Sequence, residues 1–600
     1  MKYNRTFCTD SLMKNLWGCL VRDFRSVQGQ DLCRRQELAL RVSVKEFRAT
    51  TWPARSQADP YLFKQVTQLE HLFKRYRFKD DAYTDEELEQ RTFEKFSSHQ
   101  CVLADTNENV SLSTYLVVQR ARKIAKAILG VYDLQEHIDA CRFGIKANLG
   151  VPASKAYLDV KLMTLSGSQG HGTWFEKHVV DGDPHLSRFY DSHLLLLEEL
   201  WQAVPCTSLN MVNVPKSWKI KRGIIPDTVL GSFYTNGIGT VITRRLQAHG
   251  LNIRKLQQKH RRYARKFSRS RTHVTADLSN ASNSFTWSLM CRLLPRKWLE
   301  VLDYGRVRRF TYAKKDYLNM SFMMMGIGYT FPVQTLLFYC LIRAVGDLLG
   351  NDRTDLVSVY GDDLIYPVAY HRYIVKVFEN LGFSMNEDKT YVQDHFRESC
   401  GGDYFRGIDV RPFQLEAEHQ VLHRKPYVLF LYKTLNGLLT RWNEFDIPQT
   451  VRFLLLEILR AESSIVLVPS EFPDFSGLHV GKVTLDGFWP IVRPRFNPET
   501  SLLDIYRYEI KARNRVIITH TPYYWLKLRT MSSEGQSVEN ALAERPISSL
   551  RWVIGKNQPR NYRSKITGQR LKLRELAEAE KMANGAIIYH NSPKGQIARV

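Results

Sequence analysis

Three aspartates have the type and spacing to do chemistry. The run Asp355-Leu-Val-Ser-Val-Tyr-Gly-Asp-Asp-Leu-Ile-Tyr366 reads as an apolar strand, a tight turn at Gly361-Asp362-Asp363 and a second apolar strand, which puts two carboxylates at a hairpin tip. Upstream, His273-Val-Thr-Ala-Asp-Leu-Ser-Asn-Ala-Ser282 is a short β-rich run ending in Asp277, followed by a helical pattern from Ser284 to Leu294. An acid at the carboxyl end of a strand lies where open sheets place their ligands. Each feature also has a plainer explanation, since Asp-rich turns are common for structural reasons and Asp277 could be a helix N-cap. Two carboxylates about 4 Å apart repel by about 4 kcal/mol at an effective dielectric near 20, so Asp277 facing the hairpin would demand cations. Magnesium suits carboxylate and phosphate oxygens. In a two-metal site one ion activates an attacking hydroxyl and the other holds a triphosphate and its leaving pyrophosphate.

Further elements follow in order. Val214-Pro-Lys-Ser-Trp-Lys-Ile-Lys-Arg222 is basic, and Met325-Gly-Ile-Gly-Tyr-Thr-Phe331 is a glycine-rich segment leading into an apolar helix. Asn386-Glu-Asp-Lys-Thr390 follows an amphipathic helix from Ile374, and then comes Phe396-Arg-Glu-Ser-Cys-Gly-Gly-Asp-Tyr-Phe-Arg-Gly-Ile-Asp-Val-Arg-Pro-Phe413. Together with the aspartates, 85 residues separating Asp277 from Asp362, this order resembles the palm of viral RNA polymerases. More narrowly, it resembles the replicase β chain of single-stranded RNA bacteriophages of the levivirus group. The resemblance runs from about Val214 to Phe413.

The resemblance implies an α+β right-hand polymerase: an N-terminal region and fingers over 1–270, a palm with an antiparallel sheet over 271–415, and a thumb with a C-terminal basic region over 416–600. It implies an RNA-directed RNA polymerase acting in the cytoplasm of an infected bacterium, with initiation at the template 3′ end without a primer. Asp277, Asp362 and Asp363 would hold two Mg2+ ions, Mn2+ being a substitute, and Lys389 would be the general acid for pyrophosphate departure. Lys216 and Arg222 would grip the incoming triphosphate, while Gly326 would let the backbone approach template or nucleotide. Arg397 and Arg406 would contact primer or nucleotide phosphates. Implied partners besides RNA and nucleoside triphosphates are the host elongation factors Tu and Ts and a ribosomal RNA-binding protein.

This chain departs from the family pattern at three places. Pro226-Asp227-Thr228 stands where the family continues with Glu-Pro, Asn283 stands where an acid is usual, and Ile327 stands where Asn is usual. The neutral Asn283 is the consistent companion of Ile327, and Ser282 becomes the expected hydroxyl contact to the ribose.

The rest of the sequence frames these residues. At 600 residues the chain exceeds what a single core supports, and 44% hydrophobic with 12% aromatic residues is ordinary globular composition. Lys+Arg 86 against Asp+Glu 61 gives +25, an excess that points to a polyanionic partner. The run Lys255 to Arg271 could line a template channel, with Arg261, Arg262 and Arg265 on phosphates and Tyr263 and Phe267 as stacking faces. A second basic stretch runs from Lys556 to Arg574. The nine cysteines show no C-x-x-C pair and read as reduced thiols. No secretory h-region is evident, and the apolar run Gly326 to Ile342 stops short of a membrane span. A reverse transcriptase or a mitochondrial RNA-virus polymerase shares the palm logic. A non-catalytic RNA-binding or packaging protein explains +25 but leaves the three aspartates without a purpose.

Overall fold

The computed structural model describes residues 6–25, 59–79, 83–104, 110–144, 147–152, 156, 161, 166–181, 209–351, 357–415, 417–485, 491–497, 502–504, 507–508, 511–514 and 547–551. Asp355 and Leu356, Cys33, Cys206 and the basic stretch Lys556 to Arg574 lie outside the described residues.

The chain is α+β. Its elements, in order, include helices α1 (Thr9–Arg25), α2 (Pro60–His71), α3 (Asp85–Ala104) and α4 (Leu112–Leu129). Strands β1 (Val212–Ser217) and β2 (Ile220–Ile224) form a hairpin, followed by helices α5 (Val229–Ala248) and α6 (Ile253–Ser270). Strands β3 (His273–Ala276) and β4 (Leu278–Ser279) lead to helices α7 (Trp287–Leu293) and α8 (Thr330–Leu348). The strands β5 (Ser358–Tyr360) and β6 (Asp363–Pro367) precede α9 (His371–Asn380) and β7 (Ser384–Met385). Finally β8 (Phe396–Ser399) and β9 (Gly402–Phe405) form a hairpin ahead of α10 (Arg424–Leu439) and α11 (Pro448–Glu462).

The central sheet is antiparallel in the order β5-β6-β3, with Tyr360 opposite Asp363 and Leu364 opposite Ala276. Its strands are short and largely buried: every residue of β3 is buried, as are Leu364, Ile365 and Tyr366 of β6. Helix α8 runs through the core beneath, with Val333, Leu336, Leu337 and Leu341 fully buried. By length and composition it could cross a membrane, but 83% of its apolar window is buried within the fold. Pro332 does not break it because a proline in the first turn removes no intrahelical hydrogen bond.

Helix α6 shows how a very basic segment still folds against a core. Asn252 caps its start by accepting from the Arg254 amide at 3.1 Å, and Arg271 ends it in a left-handed conformation at φ 56°. Leu256, His260, Ala264 and Phe267 recur at helical spacing and form the buried stripe, leaving most of the cationic residues on the other face.

Two large hydrophobic cores organise the described residues, beside a small cluster of Phe63, Phe396, Phe405 and Val410. One draws on Phe96 to Phe383 and contains α4, α5 and α8. The other joins Leu12–Phe24 and Leu69–Phe78 to Leu415 and the helices α10 and α11. Residues on both sides of positions 270 and 415 share these cores: α1 packs on α11, and residues from about 96 to 270 pack with the catalytic strands.

Candidate active site

Asp277 leaves the end of β3 and Asp362 occupies the turn between β5 and β6. The antiparallel register, with Ala276 opposite Leu364, brings the end of β3 alongside this turn. Gly361 makes the turn possible at φ 64°, where an added Cβ would collide with the Phe331 ring. The Gly361 amide donates to Thr335 Oγ1 at 3.0 Å, tying the turn to α8.

Asp362 is open to solvent, yet its surroundings raise its carboxyl above the ordinary range. The causes are the dense packing around it and then the neighbouring Asp277 charge, offset in part by Lys389 and Arg222. Lys389 Nζ lies 3.1 Å from Asp277 Oδ2. Burial alone would lower the Lys389 ammonium, but Asp277 and Glu398 outweigh it and hold its pKa above the usual value. The hard oxygen donors of the Asp277–Asp362 pair, charged alike and already drawing in an ammonium, fit Mg2+.

Asn386 is a site residue whose role its motif, Asn386-Glu-Asp-Lys-Thr390, does not announce. Its amide NH2 donates to Asp277 Oδ2 at 3.0 Å, and its backbone N–H donates to the Asp277 carbonyl at 2.9 Å. An Asn ahead of a short helical turn is the signal, because its side chain can grip a neighbouring strand as well as cap the turn.

Asp363 faces the other way. Its Oδ1 accepts from the Cys400 amide at 3.2 Å and from Ser399 Oγ at 3.4 Å, and its Oδ2 accepts from the Cys400 thiol at 3.4 Å. Burial, and then the Asp362 charge, push its carboxyl up to about 6. The Asp277 charge raises the Asp363 carboxyl too, so all three acids lie within electrostatic reach of one another, although among the described residues no three His, Cys, Asp or Glu side chains group closely enough to hold a metal ion.

The β1–β2 hairpin brings the cations. Its register shifts between Pro215 and Ser217, leaving Lys216 at the irregularity, and Lys216 and Arg222 are both exposed. Burial and Arg222 lower the Lys216 ammonium while Asp277 raises it, which places Lys216 within electrostatic reach of the acid pair. The hairpin is anchored by Lys221, whose ammonium lies 2.8 Å from Glu89 and 3.0 Å from Asp85 of α3. Past Arg222, Asp227 is buried with its carboxyl raised to about 7, chiefly by desolvation, and it accepts from the Thr228 amide and Thr235 Oγ1. The departure from Glu-Pro is thus absorbed into the start of α5, where Thr228 is the N-cap.

One expectation is corrected. Arg397 is fully buried, and its guanidinium donates to the carbonyls of His273, Asp394, Phe396 and Val392, so it braces β3 and the approach to β8 and cannot reach RNA. Gly326, exposed and at φ 119°, needs to be glycine because a Cβ would strike the Ile225 carbonyl, so one close approach it permits is to this chain's own backbone. Ile327 is only 6% exposed and packs in the main core, so the position where the family usually carries Asn is apolar and buried here.

Ser282 and Asn283 lie on a buried 3-10 turn, where Ser282 Oγ donates to Asn283 Oδ1 at 3.1 Å. The Asn283 carbonyl accepts from Ser321 Oγ at 2.6 Å. Asn283→Asp is expected to lower stability by roughly 1–3 kcal/mol, because the new charge would be buried with one hydroxyl donor. A thermal midpoint equal to wild type would count against that environment. Since Ile327 is core, adding Ile327→Asn should worsen the defect. Arg406 adopts φ 49° in the turn after β9, and Arg261 and Arg265 donate through Nε to the Cys400 and Gly407 carbonyls at 3.0 and 3.1 Å. Arg262 is exposed.

A family profile described as RNA replicase, beta-chain, matches residues 95–452. The chain belongs to this family. It is 34% identical over 292 residues to the RNA-directed RNA polymerase subunit beta of Qbeta virus strain MX1, covering 46% of each chain. It is 29% identical to that of Escherichia virus Qbeta, covering 61% of each. With the subunit of Enterobacteria phage SP the identity is 36%, over 35% of this chain and 36% of that one. These alignments span less than two thirds of each relative. The RNA-dependent RNA polymerase of bacteriophage phi12 aligns over 62% of this chain and 66% of its own at 11% identity, with a TM-score of 0.35 that defines no shared fold.

Proposed function

We propose that the chain is an RNA-directed RNA polymerase that replicates a single-stranded RNA phage genome, with a right-hand organisation of fingers, palm and thumb built on the two cores. The reading rests chiefly on one observation, the convergence of Asp277 and Asp362 at adjoining strand ends under Lys389, Lys216 and Arg222. Two carboxylates facing three cations form a site for a polyanionic substrate whose charge shifts during reaction.

Two Mg2+ ions held by Asp277 and Asp362 would supply charge neutralisation and Lewis acidity to the attacking hydroxyl and the triphosphate, with Mn2+ as a substitute. Asn386 fixes the Asp277 carboxylate so that its second oxygen stays available. Lys216 and Arg222 bind the triphosphate, Arg222 bidentately, and the β1–β2 hairpin carries them to it. Lys389, kept protonated by Asp277, is the proton donor to the departing pyrophosphate. Removing divalent cations with a chelator should abolish nucleotide incorporation on an RNA template, and Mg2+ should restore it. Incorporation that persists under chelation would contradict this assignment.

The exposed face of α6 supports template binding. Arg261 and Arg265 hold the β8–β9 hairpin through Nε, whereas Arg262 projects into solvent. Arg262→Ala should therefore reduce the log–log slope of RNA affinity against salt by about 0.7, with no loss of stability. An unchanged slope would remove Arg262 from the RNA path. From the family resemblance we extend the proposal to primer-independent initiation at the template 3′ end, to the host elongation factors Tu and Ts with a ribosomal RNA-binding protein, and to the cytoplasm of an infected bacterium.

A further inference from the structure

We infer that Cys400, Ser399 and His260 are positioning residues that lock Asp363 onto the β8–β9 turn and so keep it from swinging into the Asp277–Asp362 pair. The inference rests on the polymerase reading above and adds to it the device that sets the geometry of the acid turn.

The first observation is the turn itself. Ser399 pairs with Gly402, and the two residues between them, Cys400 at φ 51° and Gly401 at φ 67°, are both left-handed, as in a type I′ turn. Such turns favour Asn-Gly or Gly-Gly, because a side chain other than Asn, Asp or Gly rarely tolerates positive φ. Cys400 occupies the disfavoured position, and that conformation aims both its amide and its thiol at Asp363.

The second observation is a hydrogen-bond chain with a fixed direction. Ser399 has one hydroxyl proton, and it goes to the Asp363 carboxylate, which can only accept. Ser399 Oγ must then accept from His260 Nδ1, 2.8 Å away. A neutral imidazole with its proton on Nδ1 accepts at Nε2, and Ser358 Oγ lies there at 2.9 Å. Ser358 is on β5, on the opposite arm of the same acid turn from Asp363. His260 therefore clamps the hairpin of the aspartates to the hairpin that holds Asp363. It is completely buried, and burial holds its imidazole neutral, with a pKa near 3. Nothing in the proton-transfer scheme above uses it.

The test compares Cys400→Ala, Ser399→Ala and Cys400→Ser in the full chain, with Asp277→Asn as reference. Cys400→Gly, which removes the thiol while easing the left-handed backbone, keeps the comparison readable if the alanine variant fails to fold. Cys400→Ala, Cys400→Gly and Ser399→Ala should each lower kcat for incorporation about 10-fold, leaving RNA affinity within twofold. They should also move the Mn2+ affinity, read by electron paramagnetic resonance without RNA or nucleotide, at least threefold. Cys400→Ser, which keeps a donor, should recover most of both properties. Variants with wild-type kcat and wild-type Mn2+ affinity, alongside an inactive Asp277→Asn, would overturn the positioning role and leave the polymerase reading standing. A drop in kcat with Mn2+ affinity unmoved would reduce these residues to ordinary packing and equally overturn the inference. A wild-type chain that incorporates nothing would overturn both.

Discussion

Asp277→Asn and Asp362→Asn should each lower nucleotide incorporation by at least ~10³-fold, about 4 kcal/mol of transition-state stabilisation, while RNA binding survives. Asparagine keeps the shape and loses the charge, so a site that works by holding cations loses its function without losing its fold. Asp362 already suffers from its neighbour's charge, and removing either carboxylate relieves that repulsion. Asp362→Asn is therefore expected to be no less stable than wild type, whereas Asp277→Asn also loses its ion pair with Lys389, so its thermal midpoint is measured beside its activity. Asp363→Asn should be milder on chemistry, because Asp363 is bound to Cys400 and Ser399. Steady-state incorporation beside filter binding of RNA provides the check, and a wild-type rate in Asp277→Asn would contradict the assignment.

Arg397→Met should be among the most destabilising substitutions in the chain, costing about 3–5 kcal/mol. It removes the donors from four carbonyls in a place where water cannot replace them. One of these belongs to His273, at the start of the strand that carries Asp277. A urea or thermal unfolding curve measures the loss. Near-native stability with weakened RNA affinity would restore the phosphate-binding role that its burial rules out.

The contrast between Asp277 and Arg397 shows what the sequence conveys and what it hides. The acids were legible because a strand ending in Asp, and a turn of Gly-Asp-Asp between apolar strands, announce themselves through local chain geometry. Ser358 to Pro367 forms the hairpin that its alternation implies, and Lys389 reaches Asp277. The fold class was legible only through the resemblance that these motifs carry. Arg397 looked like a nucleic-acid contact because it is charged and lies in a diagnostic motif, but the direction of a strand side chain depends on what covers the sheet. Gly326 is a related case: the sequence shows that a backbone can come close, and the structure adds that the Ile225 carbonyl is one thing it comes close to. His260 was hidden inside a run of cations whose other members face solvent. The packing of α1 against α11 was equally invisible, since no local pattern records which distant helices share a core. The helical pattern from Ser284 was shortened to Trp287–Leu293 because residues Ala281–Ser284 wind as a 3-10 turn and Thr286 supplies the cap.

The most direct measurement is incorporation of labelled ribonucleotides by the purified chain on a defined single-stranded RNA in Mg2+, with and without bacterial host extract, followed by sequencing of the product. A polymerase of this kind yields RNA complementary to the template, starting opposite its 3′ end, and yields none when Asp277→Asn replaces the wild-type chain. RNA binding without any template-complementary product, in the presence of host extract and Mg2+, would contradict the proposed function.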